Sequence, residues 1–163
     1  MPTTYDPIYN QTLSAAAATV TLNNFSQAYT DLICVIGYGS NSVGGQNLLM
    51  QLNGDTTTTY SNTRLVYGGG GVGSFRDSNS STINIGAIYG TAAALTHITH
   101  ILNYTNTTTF KTVVVRTATT DNVGCHVGLW RATPQAVTSI TFSSSGGNFQ
   151  VGSTFTLYGI RAA

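Results

Sequence analysis

Charge is what this sequence has least of. Only 7% of its 163 residues are Asp, Glu, Lys or Arg, against about 25% in an ordinary soluble protein. Glutamate is absent. The acids are Asp6, Asp31, Asp55, Asp77 and Asp121, and the bases are Lys111, Arg64, Arg76, Arg116, Arg131 and Arg161. A formal net charge of +1 leaves no electrostatic footprint for nucleic acid or an acidic membrane surface. Helical bundles depend on Glu, Lys and Leu, so a chain nearly without the first two does not read as one. Disorder is excluded by what remains, because 41% of residues are hydrophobic and 10% aromatic, enough to bury a core.

Long apolar runs are also missing. No stretch approaches the ~18 apolar residues of a membrane span. The first 20 residues contain no Lys or Arg, and Ala15 to Ala18 is too short an apolar core for a secretory signal. The expectation is a chain made in a cytoplasm without a signal peptide. Cys34 and Cys125 sit in apolar surroundings, LICVIG and VGCHVG, and read as two buried free thiols. A disulfide between them stays open, and no CxxC is present.

What is there is hydroxyl-rich and alternating. Residues 1–16 are polar, contain Pro2 and Pro7, and show no period. They read as an N-terminal arm whose sticky groups are Tyr5, Ile8 and Tyr9. From residue 17 to 163 the pattern predicts one β domain. Ala18-Thr19-Val20-Thr21-Leu22 alternates with period two. Tyr29 to Ile36 is nearly continuous apolar, as in a strand covered on both faces. Further strands are expected over 47–52, 63–67, 82–89, 96–104, 110–117, 123–130, 137–142 and 154–160, separated by Gly, Ser and Asn clusters. Eight to ten short strands without a convincing helix predict an all-β antiparallel sandwich. The longest irregular segment, residues 68–81, reads as a surface loop suited to making contacts.

The chemistry offered by these residues is thin. Gly68, Gly70 and Gly73 satisfy GxGxxG, but Ser-Phe-Arg-Asp follows instead of a helix, so the match is compositional. His97 and His100 are three apart on a predicted strand and point to opposite faces. His126 follows Cys125 directly, so those two also diverge and form no dyad. There is no GxSxG elbow, and five scattered Asp give no designed carboxylate pair. Catalytic, cofactor-binding and metal residues are therefore all expected to be none. Sugar contact is the harder case, with Tyr60, Tyr67, Phe75, Tyr89 and Trp130 as candidates. A large aromatic such as Trp130 at a strand end is nevertheless more often core.

An ordered set of segments then becomes recognisable. It runs from Gln11-Thr12-Leu13-Ser14 through Tyr29-Thr30-Asp31-Leu32, Gln51-Leu52-Asn53-Gly54-Asp55 and Tyr60-Ser61-Asn62-Thr63-Arg64. Asn103-Tyr104-Thr105, Lys111 and Gly128-Leu129-Trp130-Arg131 follow, and Gly147-Asn148-Phe149 and Leu157-Tyr158-Gly159-Ile160 close it. Over about residues 11–161 this resembles a widespread group of bacteriophage virion proteins and tail-fibre-like modules. The resemblance implies a jelly-roll β-sandwich with no catalytic residues. One expectation is a capsid cement or decoration protein, a homotrimer seated on the major capsid protein and locked by an arm carrying Tyr5, Ile8 and Tyr9. The stand-alone length, with no room for a shaft, favours it. The alternative is a tail-appendage module that binds host surface glycan through the 68–81 loop and Tyr67, Phe75, Arg76 and Asp77. Both place the chain in a virion, on the capsid exterior or a tail appendage.

Overall fold

The computed structural model describes residues 4–38, 46–88, 95–119 and 122–161. Among the described residues twelve strands occur in this order: β1 (Tyr5–Thr12), β2 (Thr19–Asn23), β3 (Asp31–Tyr38), β4 (Gln46–Leu52), β5 (Tyr60–Gly68) and β6 (Gly71–Ser80). Then come β7 (Ile83–Ile88), β8 (Leu95–Ile101), β9 (Lys111–Ala118), β10 (Val123–Trp130), β11 (Ser139–Ser144) and β12 (Thr154–Ile160). They form an all-β antiparallel sandwich, as expected. One sheet has eight strands in the order β1-β12-β3-β8-β9-β10-β5-β6, and the other has four, β2-β11-β4-β7.

The topology is a folded-over hairpin. β1 pairs with β12, β2 with β11, β3 with β8 and β4 with β7. These nested pairs are the jelly-roll arrangement. Four further strands, β5, β6, β9 and β10, are inserted as two hairpins and all join the same sheet. The large sheet therefore runs past β7, the edge of the small one.

Period two decides which residues meet in the middle. Val20 and Leu22 of β2, Leu48, Met50 and Leu52 of β4, and Phe155 and Leu157 of β12 are all buried. Phe155 packs against Phe142 and, edge-on, Phe149, with ring centroids 5.7 and 5.3 Å away. Offset and edge-to-face pairs of this kind add to the area term. Gly128 on β10 belongs to the same layer. A Cβ there would lie 2.5 Å from Ile83 Cγ2, so glycine lets β7 approach the large sheet.

Two segments depart from expectation. Residues 5–12 are not an arm but strand β1, paired along its length with β12. Ile8 and Tyr9 pack against this chain's own core, and only Tyr5 of the three is exposed. A bulge between Pro7 and Tyr9 breaks the register, which is why the sequence shows no clean alternation there. Residues 68–81 are not a loop either. Gly69 and Gly70 carry φ of 59° and 85°, the positive values that a two-residue I′ hairpin turn requires. The chain then returns as β6, with Gly71 opposite Gly68.

Candidate functional site

The inserted hairpins build the most distinctive surface. On β5 the residues Tyr60, Asn62, Arg64 and Val66 face the sandwich interior, and Ser61, Thr63, Leu65 and Tyr67 face away. Register aligns Tyr67 with Val72 of β6 and Val123 of β10, and Leu65 with Ser74 and Cys125. Val127 lies opposite Thr63 on β5 and Val114 on β9. The result is an apolar outward face with Leu65 55% exposed, Tyr67 54%, Val72 73%, Val123 55% and Val127 47%. Those five side chains leave on the order of 500 Å² in water, the upper end of the roughly 300–600 Å² of a monomer's largest patch. Arg76, opposite Thr63, and Arg116, opposite Cys125, are the charged groups beside it.

The four residues expected to share a contact loop are divided by the strand. Tyr67 and Arg76 sit on the outward face, and Phe75 and Asp77 on the opposite one. Asp77 pairs with Arg64 at 2.9 Å, and the Phe75 ring lies 5.3 Å from the Arg64 guanidinium carbon. Two of the proposed sugar-stacking aromatics are interior. Tyr60 and Trp130 are buried and stacked at 6.3 Å. Tyr89 lies outside the described residues.

Tyr60 and Trp130 belong to a structural cage around Asp55. Its carboxylate accepts from Trp130 Nε1 at 2.7 Å, Thr59 Oγ1 at 2.6 Å and the Thr57 backbone N–H at 2.8 Å. Burial alone would push this carboxyl up. The hydrogen bonds from Thr57, Thr59 and Trp130 outweigh it and hold the group well below the usual carboxylate range. Tyr60 Oη accepts from the Leu52 N–H at 2.9 Å, which ties the β4 end to the same cluster.

The histidines separate as their spacing predicts. His97 and His126 face inward and are buried, whereas His100 faces outward and meets Asp31 at 3.2 Å. Burial, with His126 as the lesser cause, lowers the His97 imidazole to about 3. Burial also lowers His126, against the opposing effect of its contact with the Asn84 carbonyl. Among the described residues no group of three His, Cys, Asp or Glu could hold a metal ion. Both cysteines are free; Cys34 is buried, but Cys125 is exposed. The expectation of two buried thiols fails for Cys125 because its position on β10 is an outward one, beside Leu65.

Sequence reading missed Leu65, Val72, Val123 and Val127 as a surface. The alternation in β10 is plain, but it does not say which set is inside. The inward set contains Gly124, His126 and Gly128 and the outward set Val123, Cys125 and Val127, the reverse of the usual polarity. No family model, curated protein or solved structure matches this chain.

Proposed function

We propose that this chain is a self-assembling structural protein of a bacteriophage virion, one that decorates the capsid as a homotrimer seated on the major capsid protein. The observation that carries the reading is the outward face of β5, β6 and β10. A second copy of the same chain suits it as occupant. The centre of the face, Leu65, Tyr67, Val72 and Val123, carries no charge, Arg76 and Arg116 standing at its margin, and a net charge of +1 gives copies little reason to repel overall. Interface centres are depleted of Lys, Glu and Asp, as this face is. A standard interface buries about 800 Å² per partner, so the five exposed side chains supply most of one. The resemblance in sequence supplies the virion context. The tail-appendage alternative is supported less, because residues 68–81 form a hairpin rather than a loop and Tyr67 and Arg76 face away from Phe75 and Asp77.

Light scattering on the purified chain tests assembly. The wild type is expected at a multiple of 17.1 kDa, and Leu65→Lys combined with Val127→Lys is expected to yield monomer. Both positions are exposed, so each substitution changes the monomer's own stability by about 0.5 kcal/mol or less. A wild type that stays monomeric at high micromolar concentration would overturn the assembly reading. Copy number in purified virions tests the location, with hundreds expected and a handful contradicting decoration.

A further inference from the structure

Where the large sheet overhangs β7, the two sheets enclose a cavity of about 160 Å³ that is partly open to solvent. Its walls include Arg64 and Val66 of β5, Phe75 of β6, Asn84 of β7, Thr117 of β9 and His126 of β10. Three buried polar atoms of these side chains have no hydrogen-bond partner: His126 Nε2, Arg64 Nε and Thr117 Oγ1. All three are nearly inaccessible to solvent as the walls stand; leaving such atoms unmet is costly, so a ligand that eases the walls apart to reach them recovers that cost.

Their chemistry is complementary and specific. His126 Nδ1 lies 3.1 Å from the Asn84 carbonyl oxygen. A carbonyl only accepts, so Nδ1 carries the hydrogen and the neutral ring turns a bare Nε2 lone pair outward. That atom calls for a donor. Arg64 Nε bears a hydrogen and calls for an acceptor, and the Thr117 hydroxyl serves as either. The Arg64 charge is already met by Asp77 at 2.9 Å. An anion would therefore face a lone pair and a neutralised guanidinium. A divalent cation would face a guanidinium with too few ligands around it. Val66, Phe75 and Val123 supply apolar wall.

The geometry points to a binding site for one small neutral polyhydroxyl molecule, a polyol or a single pyranose ring. One hydroxyl donates to His126 Nε2, another accepts from Arg64 Nε, and Thr117 Oγ1 bonds a third. A cavity of about 150 Å³ takes up a benzene ring, so the size fits one six-membered ring. A few convergent polar groups on apolar walls are the ordinary make-up of a small-molecule site. Hydroxyls, which both donate and accept, match the hydrogen-bonding character of all three atoms.

Saturation-transfer NMR on the intact chain tests this with methyl glucoside, methyl galactoside, N-acetylglucosamine and glycerol, and with acetate and inorganic phosphate as anions. Millimolar, saturable binding of at least one neutral polyol is expected. Thr117→Val, which keeps the shape and removes one hydroxyl, is expected to weaken it about threefold to tenfold, and His126→Leu to abolish it. Should His126→Leu fail to fold, Thr117→Val carries the test alone. No saturable binding of any polyol, with the cavity holding water only, would overturn the proposal. So would tighter binding of phosphate or acetate, or undiminished binding by Thr117→Val. The site does not depend on the assembly reading, and the scattering experiment fails or succeeds separately.

Discussion

Lowering the pH from 7.5 to 5 should destabilise this fold through His97. The imidazole is fully buried and lowered from 6.5 to about 3 by burial, with His126 the second cause. Among the described residues, His126 of β10 is the titratable group that shifts it, and Arg64 of β5 in turn acts on His126. The folded state keeps His97 neutral, while the unfolded chain protonates below 6.5. The stabilising contribution is complete above pH 6.5 and is lost as pH falls from there toward 3. At pH 5, 1.5 units below the unfolded value, the loss is about 2 kcal/mol at 1.36 kcal/mol per unit. For a chain of this size that is a fall of roughly 4–8 °C in Tm. His126 is lowered as well and adds to the loss in the same direction. Urea unfolding at both pH values, on the wild type and on His97→Gln, isolates the effect. The variant's own cost cancels, because each protein is compared with itself. The wild type should lose about 2 kcal/mol more than His97→Gln between pH 7.5 and 5. Equal losses in the two proteins would refute the claim that His97 stays neutral and buried.

Asp55→Asn weakens the charge-assisted bonds around the carboxylate and should cost about 2–3 kcal/mol. Trp130 is the sole tryptophan, so its fluorescence reports the loss directly. Because the Asp55 carboxyl is held low, its contribution is present above pH ~4 and fades only below that. Gly128→Ala sets a methyl 2.5 Å from Ile83 Cγ2 and should cost about 1–3 kcal/mol; Ile83→Ala in the same chain should cost less than it does alone, read by urea midpoints. In native protein Cys125 should react with a thiol reagent and Cys34 should not, since Cys34 is buried and its thiol is pushed up. Slower labelling of Cys125 in the oligomer than in the Leu65→Lys, Val127→Lys chain would map the interface.

The sandwich was legible because most strands carry their inward residues at every second position. Val20 and Leu22, Met50 and Leu52, and Phe155 and Leu157 all announce a buried face. β6 was illegible for an opposite reason. Its residues, GVGSFRDSNS, have a turn-like composition, and only the two positive-φ glycines before them tell a hairpin from a loop. β1 was hidden by its bulge. The outward apolar face could not be read because alternation fixes two sets without saying which faces solvent. The cavity was further out of reach. His126, Arg64, Thr117 and Asn84 lie on four strands, far apart in the chain, and only the sheet register brings them together.

The bulge at Pro7 has a meaning for what the large sheet can do in company. A flat, unpaired strand edge invites another chain to add to it. β6 is one such edge, ten residues long and free of proline and lysine. β1 is the other, and there proline removes an N–H and the bulge kinks the strand. One rim of the sheet is receptive and the other is sealed. Two molecules meeting rim to rim would exhaust the receptive edges of their large sheets at once and leave only the β1 rims of those sheets outside. A fibre built on the edges of the large sheet alone therefore has no second end from which to grow.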